Sequence, residues 1–148
     1  MMRPLTVTAS KSKAPLPQVD ATLEMSDYKY ELSTPLKAGR RTLRIINSGP
    51  QEHHVFIQRM RPGKTIADIN LHRAARARER AAGQPEAGVS SVPPMTPVAA
   101  TTRMSPGETV FITLDLVKGD YRLFCLVGDI RDERTHAEHG MDQLITVR

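Results

Sequence analysis

Short runs of alternating apolar and polar residues cover most of the chain. They lie at residues 21–32, 41–47, 53–60, 108–116, 121–127 and 142–148. A period of two residues predicts β-strands with one buried face, and clusters of Gly, Pro, Asn and Asp between the runs predict turns. Because the first run divides in two at Ser26 and Asp27, the pattern gives about seven short strands. We therefore expect an all-β sandwich or barrel.

Residues 64–106 interrupt this strand pattern. The first half of the segment is rich in good helix formers, with Thr65 or Asp68 as its start and Gly83 as its stop. The second half contains many prolines and predicts a long irregular connection. We interpret the segment as a helical and Pro-rich insertion in one domain of residues 21–148, rather than as a second domain.

Composition and charge narrow the class of protein. A chain of 148 residues, 39% of them hydrophobic and with a net charge of +5, suffices for one domain with one core. No apolar run approaches the roughly 20 residues that cross a bilayer, and no signal peptide is visible, so we expect no transmembrane segment in this chain. Residues 1–20 predict an extended N-terminal arm, because prolines and lysines interrupt any periodicity. The single cysteine, Cys125, excludes an internal disulfide.

Residues that can bind a soft metal ion lie in two parts of the chain. They are His53, His54, Cys125, His136, His139 and Met141. A period of two places His53 and Cys125 at inward-facing positions near strand ends. A thiolate, two imidazoles and a weak thioether are the ligands of a type 1 copper centre. Cysteine and histidine also bind zinc, although a fourth ligand for a tetrahedral zinc site is not evident.

Several short motifs stand in order around these residues. An Ala-Gly pair precedes a strand, an Asn-x-Gly turn precedes the first histidine, and Gly-x-Tyr-x-x-x-Cys is followed by His-x4-Met and the last strand. This ordered set resembles the cupredoxins and, more narrowly, bacterial plastocyanin-like domains with a helical insertion. The likeness covers residues 21–148 and is weakest in 64–106. It implies a Greek-key, cupredoxin-like sandwich.

The resemblance also implies roles for individual residues. It implies equatorial copper ligands at His53, Cys125 and His136 and an axial ligand at Met141. His139 is then a bystander or a competing ligand. The function implied is one-electron transfer in the periplasm, or more generally outside the cytoplasm, with copper as the cofactor and a redox protein as the partner.

Two departures from the family pattern leave a second function open. Ten residues, five of them charged, separate Cys125 from His136, where the family has only a few. Ordering such a loop costs entropy, which weakens a preformed metal site. His54 stands where the family often has an asparagine that ties the ligand loops together. The alternative is a copper-free accessory or assembly subunit, docked on the extracytoplasmic face of a membrane redox complex.

A basic stretch of the predicted helix is the candidate partner-binding surface. Its members are Arg73, Arg76, Arg78 and Arg80. Because aromatic stacking residues and nucleic-acid-binding signatures are missing, we expect docking to an acidic protein or to anionic lipid headgroups, and no nucleic acid. No phosphate loop, HExxH motif or nucleophile elbow is present in the sequence, so we do not expect an enzyme.

Overall fold

Two four-stranded β-sheets and one α-helix make up the computed structural model, which describes residues 15–88 and 90–148. The strands are β1 (Ala21–Ser26), β2 (Lys29–Leu32), β3 (Gly39–Asn47), β4 (Phe56–Met60), β5 (Met95–Ala100), β6 (Thr109–Leu116), β7 (Gly119–Phe124) and β8 (Asp142–Val147). The helix is α1 (Ile66–Ala82). Residues 1–14, most of the predicted arm, lie outside the described residues.

The strands form two sheets with the orders β2-β1-β3-β6 and β5-β4-β7-β8. In the first sheet β1 and β3 run parallel, with Ala21 opposite Leu43, and the other neighbouring strands are antiparallel. In the second sheet every neighbouring pair is antiparallel. The all-β sandwich predicted from the sequence is confirmed, with eight strands in the described residues instead of about seven.

Alternating side chains from both sheets meet in one apolar core. In β1, for example, every second residue from Ala21 to Met25 is buried, as a period of two requires. Fully buried core side chains include Leu23, Met25, Leu43, Ile45, Val55, Tyr121 and Leu123. The buried residues of β1 are thus the apolar positions of its alternating run.

The additional strand, β5, lies in the Pro-rich segment for which irregular chain was expected. It pairs only with β4, as an edge strand, and Pro97 lies opposite Gln58. Proline is tolerated there because an edge strand has one side without sheet hydrogen bonds. The pairing shifts by one residue between Ile57 and Gln58, so Val98 forms a bulge. Proline and the bulge together hid the strand pattern.

The helix begins and ends at residues that the sequence marked. Thr65 is the N-cap, and a reciprocal capping box joins it to Asp68, the other residue predicted as a possible start. Gly83 ends the helix with φ 70°, a left-handed conformation that glycine adopts at little cost. Within α1 only Ile69 and Ala75 are buried. No helix in the described ranges is long and apolar enough to span a membrane.

Three strand ends meet at one end of the sandwich. Because β4 is antiparallel to β7, and β7 to β8, Phe56 lies opposite Phe124 and Phe124 opposite Asp142. The residues just before β4, just after β7 and just before β8 are therefore neighbours in space. These are His53, Cys125 and Met141, three of the four predicted metal ligands.

Candidate metal centre

Backbone hydrogen bonds fix His53 before its strand begins. Its amide donates to the Met104 carbonyl at 3.1 Å, and its own carbonyl accepts from the Met104 amide at 2.8 Å. The side chain is fully buried. This pairing with the segment before β6 holds the imidazole at the end of the sandwich.

Cys125 follows β7 and is likewise held by its backbone. Its amide donates to the Met141 carbonyl at 3.1 Å, and its carbonyl accepts from the Ala137 amide at 2.8 Å. The buried sulfur accepts a hydrogen bond from the His54 amide at 3.5 Å. Burial raises the pKa of the Cys125 thiol above its ordinary value, so binding a metal there releases a proton.

The loop between Cys125 and His136 closes on itself as a small hairpin. At its base the His136 amide donates to the Val127 carbonyl at 2.8 Å, and Gly128 pairs with Thr135 in an isolated bridge. Further along, the Asp129 amide donates to the Arg134 carbonyl at 2.7 Å. Residues 128–135 thus project from the sandwich and return to it. We expected a loop that weakens the site, whereas these bonds place His136 next to Cys125.

The side chains of His53, Cys125 and His136 converge on one point. The Nδ1 atoms of the two histidines are 2.9 Å apart, and Cys125 Sγ is 3.6 Å from His136 Nδ1. One ligand atom from each of the three residues lies within 4.8 Å of the other two. All three side chains are fully buried. The three predicted equatorial ligands are therefore assembled in one place, and their binding of a metal stays a prediction.

Met141 is buried beside this group. Its amide donates to the His136 carbonyl at 2.9 Å, and its carbonyl accepts from the Cys125 amide. The backbone thus ties the predicted axial residue to two predicted equatorial ligands. Its role as a ligand also stays a prediction.

This donor set fits copper. A thiol sulfur and two imidazole nitrogens are soft or intermediate donors, which suit copper better than magnesium or calcium. Zinc prefers four N, S or O ligands, and in the described part of the chain the cluster contains no fourth His, Cys, Asp or Glu. Burial, with a further contribution from His53, lowers the pKa of His136, which favours the neutral imidazole that a metal requires.

One atom of the site lacks a partner. His136 Nε2 is buried and forms no hydrogen bond with the described residues. The Asp129 carboxylate lies 3.9 Å from it. When Nδ1 binds a metal, the imidazole hydrogen resides on Nε2 and faces this negative charge, which is a favourable arrangement.

His54 ties the two ligand segments together. Its Nε2 accepts a hydrogen bond from the Leu126 amide, next to Cys125, at 2.8 Å. Burial, with a smaller effect of Arg103, lowers the pKa of His54 to about 4, so the ring is neutral near pH 7 and can accept this bond. We expected such a connection to be lost without the family's asparagine, and the structure shows that histidine supplies one.

A polar network that the sequence did not reveal surrounds the group. Asp27, in the turn between β1 and β2, lies 2.6 Å from His53 Nε2 through its Oδ1. Gln51 donates from Nε2 to Asp27 Oδ2 at 2.9 Å and to Asp129 Oδ2 at 3.2 Å. Tyr28 donates its hydroxyl hydrogen to Asp129. Turn aspartates are common, so no local signal distinguishes Asp27 as a neighbour of the site.

A second cluster of possible metal ligands, at the hairpin, is an ion-pair network. Asp129, Asp132 and His139 have ligand atoms within 4.8 Å of one another. The guanidinium of Arg131 donates to Asp129 Oδ1 at 2.9 Å, and this bond is the main cause of a lowered pKa of Asp129. His139 Nε2 lies 3.0 Å from Asp132 Oδ1. His139 therefore lies outside the group of His53, Cys125 and His136.

The four predicted partner-binding arginines lie on α1 and differ in their contacts. Arg76 pairs with Glu79, and Arg78 binds Glu86 through two hydrogen bonds of 3.0 and 3.1 Å. Arg73 and Arg80 are exposed and form no ion pair within the described ranges. Half of the predicted basic surface is thus neutralised locally.

Neither the protein-family models nor the curated protein sequences compared with the chain gave a match. Among solved structures, the chain resembles auracyanin A, a "blue" copper protein from the photosynthetic bacterium Chloroflexus aurantiacus, with a TM-score of 0.50 and 20% identity over 86% of this chain and 98% of that one. It also resembles the auracyanin of Roseiflexus castenholzii, with a TM-score of 0.47 and 19% identity over 88% of this chain and 99% of that one.

At this level of identity the comparison establishes the fold. The chain has the fold of the blue copper proteins, the cupredoxins. The family resemblance that the sequence motifs indicated is thus confirmed in the fold.

Proposed function

We propose that this protein is a one-electron carrier with a type 1 copper centre. The observation that carries the proposal is the convergence of two imidazole Nδ1 atoms and one cysteine sulfur in a fully buried site. His53, Cys125 and His136 would hold the copper, and Met141 would be a further, weaker ligand. Copper held there would supply reversible one-electron transfer between Cu(II) and Cu(I).

The protein contributes to electron transfer by holding the ligand residues in fixed positions. Backbone hydrogen bonds fix His53 to Met104, Cys125 to Met141, and His136 to Val127. A site held in this way moves little when its charge changes, so little reorganisation opposes electron transfer. Full burial of the three side chains keeps them away from bulk water.

Electrons reach the site through its covering side chains. The Tyr28 ring lies edge-on to the His136 ring, with 5.3 Å between their centroids, and is half-buried. Ile130, at the tip of the hairpin, is 82% exposed and offers an apolar contact to a redox partner. The proposal includes an extracytoplasmic location and a redox protein or larger membrane-associated complex as partner, both of which follow from the resemblance to cupredoxins.

A second candidate function is that of a copper-free accessory subunit of a membrane redox complex. It is favoured by the charged cover over His136, where Asp129 and Arg131 form an ion pair instead of an apolar rim. The exposed Arg73 and Arg80 would then serve as docking residues. This candidate requires that the folded protein bind no copper.

Copper titration monitored by metal analysis and visible absorption decides between the two functions. The carrier binds about one copper per chain with strong visible absorption, which Cys125→Ser abolishes because the thiolate–copper interaction is lost. His139→Ala is the matched control, since it removes a histidine near the site but outside the group, and it retains the colour. A folded wild-type protein with neither copper nor colour contradicts the carrier function and supports the accessory one.

A further inference from the structure

We propose that Asp27 is a positioning residue of the metal centre: its carboxylate keeps the hydrogen of His53 on Nε2 and thereby presents the Nδ1 lone pair to the metal. This inference rests on the proposed copper site and adds to it a residue that is no ligand itself. Asp27 Oδ1 lies 2.6 Å from His53 Nε2, and the imidazole is fully buried.

The two ring nitrogens of His53 face different partners: Nε2 faces a hydrogen-bond acceptor, and Nδ1 faces the ligand group. An ionised carboxylate only accepts hydrogen bonds, so the nitrogen that faces Asp27 must carry the hydrogen. In a neutral imidazole the other nitrogen, Nδ1, then has a free lone pair. That atom faces His136 Nδ1 at 2.9 Å, inside the predicted ligand group. Asp27 therefore selects the tautomer that can bind the metal.

Asp27 is itself held in place by the turn that precedes His53. Gln51 donates from its side chain to Asp27 Oδ2 at 2.9 Å, so both carboxylate oxygens have partners. The carbonyl of Gln51 accepts from the buried Asn47 side chain at 2.8 Å, and Asn47 Oδ1 accepts from the Gly49 amide at 3.0 Å. These bonds fix the turn and, through Gln51, the orientation of the carboxylate.

The same turn leaves room for this hydrogen bond only because residue 49 is glycine. A Cβ atom at Gly49 would lie 2.7 Å from His53 Nε2 and 3.1 Å from Asp27 Oδ1. Both distances are too short for an unstrained contact, so any side chain would push the two groups apart. Gly49, the turn that contains it and the Asp27 carboxylate are thus all required for the hydrogen bond between Asp27 and His53.

A carboxylate on the far side of a ligand imidazole makes Nδ1 a better electron donor. Such partners typically contribute about 10- to 100-fold to metal affinity. Since Cu(II) depends more on electron donation than Cu(I), the carboxylate stabilises the oxidised state. Loss of Asp27 is therefore expected to weaken copper binding and to raise the reduction potential.

The test compares Asp27→Ala and Asp27→Asn with the wild-type protein. In metal-free protein, nitrogen NMR of His53 shows hydrogen on Nε2 in the wild type and a mixture of tautomers in Asp27→Ala. Asp27→Asn retains an oxygen acceptor and keeps the tautomer, but it lacks the charge.

Copper affinity, measured by competition with a chelator, falls about 10- to 100-fold in Asp27→Ala and less in Asp27→Asn. If Asp27→Ala weakens the binding of Cu(II) tenfold more than that of Cu(I), the reduction potential of the copper rises by about 59 mV.

Asp115→Asn is the matched control, because it removes an exposed carboxylate from β6, away from the ligand group. It leaves the tautomer, the affinity and the potential as in the wild type. Copper binding by the wild type together with unchanged tautomer, affinity and potential in Asp27→Ala overturns this inference and leaves the carrier function intact. Failure of the wild type to bind copper overturns both.

Discussion

The metal end of the sandwich and the helix α1 are stabilised by different kinds of contact. At the metal end, polar side chains from distant parts of the chain meet, most of them buried. Asp27 and His53 are 26 positions apart, and His53 and His136 are 83 positions apart. In α1, Thr65 binds Asp68 and Arg76 binds Glu79, so these contacts join near neighbours. Leu71, one of its large apolar side chains, is 71% exposed.

This difference teaches which part of the molecule tolerates change. A buried polar site requires every donor and acceptor in place, because an unpaired buried group costs free energy. A helix held by its caps and surface ion pairs depends on a few weak interactions, and each of them can be lost without affecting the others. Variants at the metal end should therefore affect stability and copper binding together, whereas variants at the caps and surface ion pairs of α1 should affect only the helix.

The largest effect is expected from Gly49→Ala. The added methyl group collides with the hydrogen-bonded pair of His53 and Asp27, so we expect a loss of about 1–3 kcal/mol in the free energy of unfolding, the usual cost of overpacking. Copper affinity should fall at least tenfold. Denaturant unfolding and chelator competition measure the two effects.

Gly128→Ala is the control for this variant. Its Cβ would lie 3.3 Å from the Glu133 carbonyl oxygen, a milder contact in the hairpin, so the losses should be smaller. If both substitutions lowered stability and copper affinity equally, the close packing of Gly49 against His53 and Asp27 would not be specifically required for the site.

A smaller and local effect is expected from Thr65→Ala. The variant removes the side chain that caps α1, which typically costs about 1 kcal/mol. Hydrogen exchange should increase in the first turn of the helix, while copper affinity should match that of the wild type. Ser90→Ala, in the same insertion, is the control. A drop in copper affinity in Thr65→Ala would refute the independence of the two regions.

The contrast also explains what could be predicted from the sequence. Helix limits depend on local chemistry, so Thr65 and Gly83 could be recognised from the chain alone. Alternation predicted strands with one buried face, and the resemblance carried by the ordered motifs implied that His53, Cys125 and His136 come together.

Features that depend on tertiary contacts could not be predicted in this way. The strand β5 was missed because Pro97 and the adjacent bulge disguise it. The hairpin was missed because residues 126–135 show no alternation, and the backbone bonds that close it are visible only in the structure. Asp27 was missed because its partner lies on another strand connection, and its identity as a turn residue says nothing about that partner.

The central claim is that one metal binds two histidines and the cysteine together. X-ray absorption at the copper edge of copper-loaded wild-type protein tests it most directly. The account predicts one short sulfur neighbour and two imidazole nitrogens, with the sulfur lost in Cys125→Ser. Copper surrounded only by nitrogen and oxygen, or by a single imidazole, would contradict it.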